Sequence, residues 1–242
     1  MLIHSNPLFQ IYFGDAQDQL NPAYYLDLPD EPILTLESFA HLKKTMRLQE
    51  LMFARQTHGI HGIVIDSTTQ FTVKPFKNES DFLITDLANV GIGVMTADCL
   101  PIVLHDKVNG VVAIAHAGWK GTVAGIAVKT VERMQKMYGT RGENLTVFFG
   151  PSAKPCCYQV DKNFKQNLDG FAHPDKVLFE RSDGNLYFDL ALLNRIELEA
   201  IGVRKDAFHL EYNMCTICTE SFCSFRRDGQ RAYRQMTIVS LT

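Results

Sequence analysis

Thr96–Thr122 reads TADCLPIVLHDKVNGVVAIAHAGWKGT. Two apolar, β-branched runs, LPIVL and VVAIA, flank a polar segment whose KVNG, Lys107 to Gly110, has the composition of a hairpin turn. After HAGWKG the apolar period lengthens: Val123, Ile126, Ala127, Thr130, Val131, Met134 and Met137 recur at spacings of three and four. That spacing predicts a helix with one buried face, begun by Thr122 as its cap and closed by Gly139. The stretch predicts a hairpin in a central sheet, with Cys99 before its first strand and His116 just before a strand-to-helix turn.

Strand signals continue on both sides. DFLITD and NVGIGVMTAD precede the hairpin, LTVFFG follows the helix, and two late strands are expected around SFCSFRRD and RQMTIVSL. Residues 1–50 offer a short strand, LFQIYFG, among polar turns, then a weakly amphipathic helix in LESFAHLKKTMRLQEL. A second helix is predicted in FDLALLNRIELEAIG. Helices and strands mix without regular βαβ alternation, which favours an α+β fold over a doubly wound one.

The 242 residues are 46% hydrophobic and 21% charged, a globular composition, and contain no repeat, low-complexity tract or long linker. One domain over residues 1–242 is expected. A net charge of −3 gives no electrostatic footprint for nucleic acid or an anionic membrane. A small neutral or anionic ligand fits better. The N-terminus lacks the pattern of a signal peptide and no stretch is long enough to span a bilayer, so a cytoplasmic protein with reduced cysteines is expected.

The residue types able to do chemistry lie at strand ends beside glycines. In RQTHGIHG, Gly59 and Gly62 argue against a helical pairing of His58 with His61. Cys99 follows Asp98, and His116 precedes Gly118 and Gly121, whose missing side chains permit close backbone approach. Each also has a structural reading: a buried thiol, a core histidine, and for Trp119 simple packing. CTIC, Cys215 to Cys218, reads as half of a zinc site with Cys156 and Cys157 as partners, as a redox pair, or as ordinary thiols. Ordinary thiols are the default, because Cys156 and Cys157 lack a spacer.

Taken in order, RQTHG, TADCLPIVL, AHAGWKGT, GPSAKPCCYQV, FDLALLNRIELEAIG and CTICTESFCSFRRDG resemble the successive motifs of the YfiH-type laccase-domain family. These "polyphenol oxidase" proteins are associated with purine nucleoside phosphorylase activity. The resemblance runs from His58 to Arg234. It implies a layered sandwich related to cysteine hydrolases, and a single metal, zinc, on His58, Cys99 and His116. It also implies phosphorolysis of adenosine, inosine and methylthioadenosine, and deamination of adenosine. Some bacterial relatives are linked to editing of peptidoglycan precursors. Tyr233 stands where the family has a glycine, so the turn must differ there, and no ligand role passes to Arg234.

Three protein ligands leave zinc an open position, and bound zinc lowers the pKa of its water to about 7, as attack on C6 of adenine requires. For phosphorolysis, Asp98 is a candidate acid/base or supporting partner, and Lys120, Arg226 and Arg227 are candidates to bind phosphate. A coupled multicopper centre needs many paired histidines. The chain has eight, with no H-x-H pair, so Cu2+ is expected only as a substitute ion with polyphenol oxidation as a side activity. The same residues also suit a cysteine amidohydrolase, Cys99 as nucleophile and His116 as base, or a binding protein without turnover.

Overall fold

The computed structural model describes residues 2–21, 37–69, 75–171 and 174–242. Residues 22–36, with part of the expected turns and the first residue of the expected LESFAHLKKTMRLQEL helix, lie outside them. Among the described residues, fourteen strands in chain order are β1 Leu2–Ser5, β2 Phe9–Phe13, β3 Glu50–Phe53, β4 Gly62–Ile65, β5 Phe82–Thr85, β6 Val90–Thr96, β7 Leu100–Asp106, β8 Val111–Ala117, β9 Leu145–Phe149, β10 Gln159–Val160, β11 Leu178–Glu180, β12 Leu186–Phe188, β13 Phe208–His209 and β14 Gln235–Leu241. The α-helices are α1 Glu37–Thr45, α2 Trp119–Val123, α3 Ile126–Tyr138, α4 Leu190–Ala200 and α5 Phe225–Asp228.

The hairpin forms as its sequence predicts. β7 and β8 pair antiparallel from Leu100↔Ala117 to Asp106↔Val111. Asp106 closes the turn, its carboxylate accepting from the backbone N–H of Val108 and Asn109, while Gly110 takes a φ of +63°. The hairpin occupies the middle of a six-stranded sheet ordered β13-β9-β7-β8-β5-β4. A five-stranded sheet, β1-β2-β14-β6-β3, covers one face, and a small sheet, β10-β12-β11, stands apart.

Side-chain alternation explains the layers. Val103, Val112, Ile114 and Phe148 point from the six-stranded sheet into a core shared with Phe9, Ile11, Ile92 and Val239 of the five-stranded sheet. Their neighbours Ile102, Leu104, Ala113, Ala115 and Val147 point the other way, onto Ile126, Val131 and Met134 of α3 and Leu193 and Leu198 of α4. The outer face of the five-stranded sheet packs Tyr12, Phe53 and Ile238 against Phe39, Leu42 and Met46, the last just beyond α1. The order is therefore helix, sheet, sheet, helices, an α+β sandwich. β7 and β8 are covered on both faces, so their LPIVL and VVAIA runs are continuously apolar.

Five details differ from expectation. The helix after the hairpin is broken: α2 begins at Trp119, with Gly118 as its N-cap, and Gly125, at φ +80°, restarts the chain as α3. Thr122 is no cap but lies inside α2, fully buried, with its Oγ1 accepting from Asn194 Nδ2 at 2.9 Å. Met137 is 43% exposed, since the buried face of α3 ends at Met134. SFCSFRRD is not a strand: Ser224 caps α5, its Oγ accepting from Arg227 N, and this local turn chemistry overrides the aromatic, strand-like composition. The first helix also stops at Thr45, because residues from Glu50 pair in parallel with β6 as β3.

Met134→Ala is expected to cost about 2–5 kcal/mol by emptying a packed site. Met137→Ala should stay within about 0.5 kcal/mol, as surface changes do. Urea midpoints of the two variants check the register of α3.

Candidate metal centre and pocket

Strand register brings the distant motifs together. Continued one step beyond Leu100↔Ala117, the β7–β8 pairing sets Cys99 opposite Gly118. Continued one step beyond Phe82↔Ala115, the β5–β8 pairing sets Asp81 opposite His116. His116 N donates to Asp81 O at 2.7 Å, and the Nδ1 of its ring lies 2.9 Å from Asp81 Oδ1.

Asp81 is fully buried and does more than hold one ring. Its carboxylate also accepts from the backbone N–H of Thr57, His58 and Gly59 and from the Thr57 hydroxyl, at 2.7–3.2 Å. These bonds fix His58 in a left-handed conformation, φ +61°, that a non-glycine residue adopts at a cost. Burial opposes the charge on Asp81, but the His116 bond and charge, the Gly59 N–H and the Thr57 hydroxyl outweigh it and bring its pKa to about 2.

The donor atoms of His58, Cys99 and His116 all lie within 4.8 Å of one another. The two imidazoles meet edge to face with centroids 4.8 Å apart. A Cβ on Gly118 would come to 3.0 Å from both Cys99 Sγ and His58 Cδ2, and one on Gly121 to 3.1 Å from Gly59 O. The glycines of HAGWKG thus make room for the donor side chains and the loop that carries them. Burial disfavours charge on Cys99 and on His116. Their mutual attraction, with His58 beside the thiol and Asp81 beside the ring, nevertheless draws the thiol down and the imidazole up.

The donors open onto a pocket of about 780 Å³, within the range of small-molecule sites. Asp98, at φ +84°, lines it with both carboxylate oxygens engaged: Oδ1 accepts from Thr216 Oγ1 at 2.7 Å and Oδ2 from Arg226 N at 2.6 Å. Lys120 and Arg226 line the wall, the Arg226 guanidinium lying over the Tyr158 ring at 5.3 Å. Arg227 does not line it. Its guanidinium donates to the carbonyls of Thr216, Ile217 and Phe222 and to Asp228, which leaves it little capacity for an anion. Trp119 has both readings at once, lining the pocket while its edge packs on Phe164 at 5.4 Å.

Asp81, Tyr158 and Arg234 have no place in the sequence reading of the site. Tyr233 avoids a positive φ, yet Arg234 still reaches the pocket, beside the Phe225 ring at 5.9 Å. The signal for Asp81 lies in strand register, which single-sequence patterning does not supply. His61 has an exposed side chain and stands outside the donor cluster.

Residues 14–242 match the family described as multi-copper polyphenol oxidoreductase laccase. The chain belongs to this family. It is 30% identical over 233 residues to a purine nucleoside phosphorylase of Clostridium acetobutylicum, covering 96% of this chain and 91% of that one. It is 36% identical over 199 residues to an adenosine deaminase, RL5, from an unknown prokaryotic organism, covering 78% and 74% of the two chains. Among solved structures, the hypothetical protein YfiH of Bacillus licheniformis superposes with a TM-score of 0.83 at 24% identity, covering 97% of this chain and 93% of that one. YlmD of Geobacillus stearothermophilus gives 0.76 at 25%, covering 96% and 91%. Among the described residues, no helix is long and apolar enough to cross a membrane.

Asp81→Asn should weaken metal retention about 10–100-fold, the usual cost of removing the partner that orients a histidine ligand. Chelator competition on the purified variant measures it, with circular dichroism confirming that the fold is kept.

Proposed function

We propose that this protein is a zinc-dependent purine nucleoside phosphorylase that also deaminates adenosine. The observation that carries the reading is the His58, Cys99 and His116 cluster opening onto a pocket whose wall bears Lys120, Arg226 and Arg234. The donor set suits zinc: one soft thiolate, two imidazoles, and an Nδ1 on His116 committed to Asp81 so that Nε2 is left free. When bound, zinc supplies Lewis acidity and activates water near neutral pH, the chemistry needed to displace the C6 amine of adenosine.

Phosphorolysis transfers the ribosyl group from the base nitrogen to phosphate, so the site must hold an anion against the anomeric carbon. Arg226 and Arg234, with Lys120, form that anion site, and charge-assisted donors suit phosphate oxygens. Tyr158 and Trp119 supply aromatic surface for the purine and ribose. Asp98 acts as a positioning residue: it ties the start of α5, and with it Arg226, to the strand that delivers Cys99. The substrates are thus nucleosides and phosphate, with inosine, adenosine and methylthioadenosine as the class. Copper would also bind an N/S donor set, which accounts for polyphenol oxidation as a side reaction of the same site.

The Cys99 and His116 pair, drawn toward thiolate and imidazolium, also suits a cysteine amidohydrolase acting on peptidoglycan precursors. Inosine separates the two. Metal-replete wild type should release hypoxanthine only when phosphate is present, Cys99→Ala should release none, and Arg234→Gln should raise the KM for phosphate at least about tenfold, the loss of one charge-assisted contact. No release by wild type, together with covalent capture of Cys99 by an acyl probe, would instead establish the amidohydrolase.

A further inference from the structure

CTIC is not absorbed by the pocket. The Sγ atoms of Cys156, Cys157, Cys215 and Cys218 all lie within 4.8 Å of one another, although the two pairs are some sixty positions apart in the chain. They converge because two loops run side by side. Ser152 N donates to Met214 O and Thr216 N to Ser152 O, both at 3.0 Å, in a parallel bridge between Ser152 and Cys215. We propose that these four cysteines bind a second zinc ion, a closed structural site separate from the pocket.

The spacing favours one metal over disulfides. Four sulfurs at about 2.3 Å from a tetrahedral zinc stand about 3.8 Å apart. Cys156 and Cys218 are at 3.9 Å, against about 2.0 Å for a disulfide. Each disulfide pairs two sulfurs, whereas here all four share one centre. Vicinal Cys156 and Cys157 can do so because the turn beginning at Lys154, closed by Cys157 N and Tyr158 N on Lys154 O, wraps both toward the CTIC loop.

The surroundings are prepared for bound thiolates. The backbone N–H groups of Cys218, Lys154 and Ile217 are directed at the Cys215 sulfur, donors that suit a metal-bound thiolate. Four thiols that give up their protons to bind one Zn2+ leave the site with a net charge of −2. Lys154 and Arg181 stand on its rim: Lys154 Nζ holds Asn213 O at 2.9 Å, and the Arg181 guanidinium holds the carbonyls of Pro155 and Cys156. Four protein ligands leave no open position, so the role is to fasten.

What it fastens is the pocket wall. Cys157 is followed by Tyr158, and Thr216, inside CTIC, donates to Asp98. The Thr216 and Ile217 carbonyls accept from Arg227, the residue after the one whose backbone N–H meets Asp98. A metal joining the two loops would hold Tyr158, Asp98 and α5 in one arrangement.

The test removes the pocket donors, so that its outcome is independent of the catalytic reading. A His58→Ala/Cys99→Ala double variant, purified reduced, is expected to retain one zinc per chain by elemental analysis. Exchanged to cobalt, it should show the intense near-ultraviolet thiolate charge-transfer bands of a four-sulfur site. Cys156, Cys157, Cys215 and Cys218 should resist alkylation until chelator is added. Failure to retain a loaded zinc equivalent, with all four thiols alkylating freely in native protein, would overturn the proposal, as would disulfides among them in freshly purified protein. In the intact chain, Cys215→Ser/Cys218→Ser should lower the zinc content from two to one. The cobalt spectrum and thiol protection decide the matter even if that variant does not fold.

Discussion

A single buried carboxylate organises the site. Asp81 takes no part in the donor cluster, yet its two oxygens gather the backbone of Thr57, His58 and Gly59, the Thr57 hydroxyl and the His116 ring. A buried carboxylate is costly unless each lone pair is used, and here the count of partners is high enough to keep it ionised. The same charge selects the tautomer of His116 and pins a left-handed His58. The sheet provides the other half of the constraint: pairing through β5, β8 and β7 sets Asp81, His116 and Cys99 side by side at one edge of a layer buried on both faces.

The central hairpin and its helix were legible because strong local rules agree there. Continuous β-branched apolar runs, the KVNG turn and the Gly139 stop all act over a few residues. The failures occur where a longer-range or subtler local choice intervenes. Gly125 breaks a helix whose periodicity runs straight through it, and Ser224 turns an aromatic strand-like segment into a capped turn. Among site residues, a histidine or cysteine beside glycines announces itself by type. Asp81 and Tyr158 do not, since an aspartate before a strand and a tyrosine after a turn have many ordinary uses. Arg226 and Arg227 are adjacent in sequence and differ in what surrounds their guanidinium groups, the Tyr158 ring for the first and backbone carbonyls for the second, a distinction that needs coordinates.

The family description speaks of multiple coppers, while the described residues offer one mixed histidine and cysteine cluster at the pocket and one of cysteines beside its wall. Under the proposed function, one activating ion beside the Lys120, Arg226 and Arg234 wall would let the same cavity present either water or phosphate to a purine nucleoside. The fold itself is neutral on this point, and the residues of the cavity carry the argument.

The most direct measurement is reconstitution of activity. Protein stripped of metal by chelation, with its thiols kept reduced, is titrated with zinc while phosphate-dependent cleavage of inosine is followed. The stripped protein is expected to show no turnover, with recovery that saturates as His58, Cys99 and His116 fill. Full turnover without metal would contradict it.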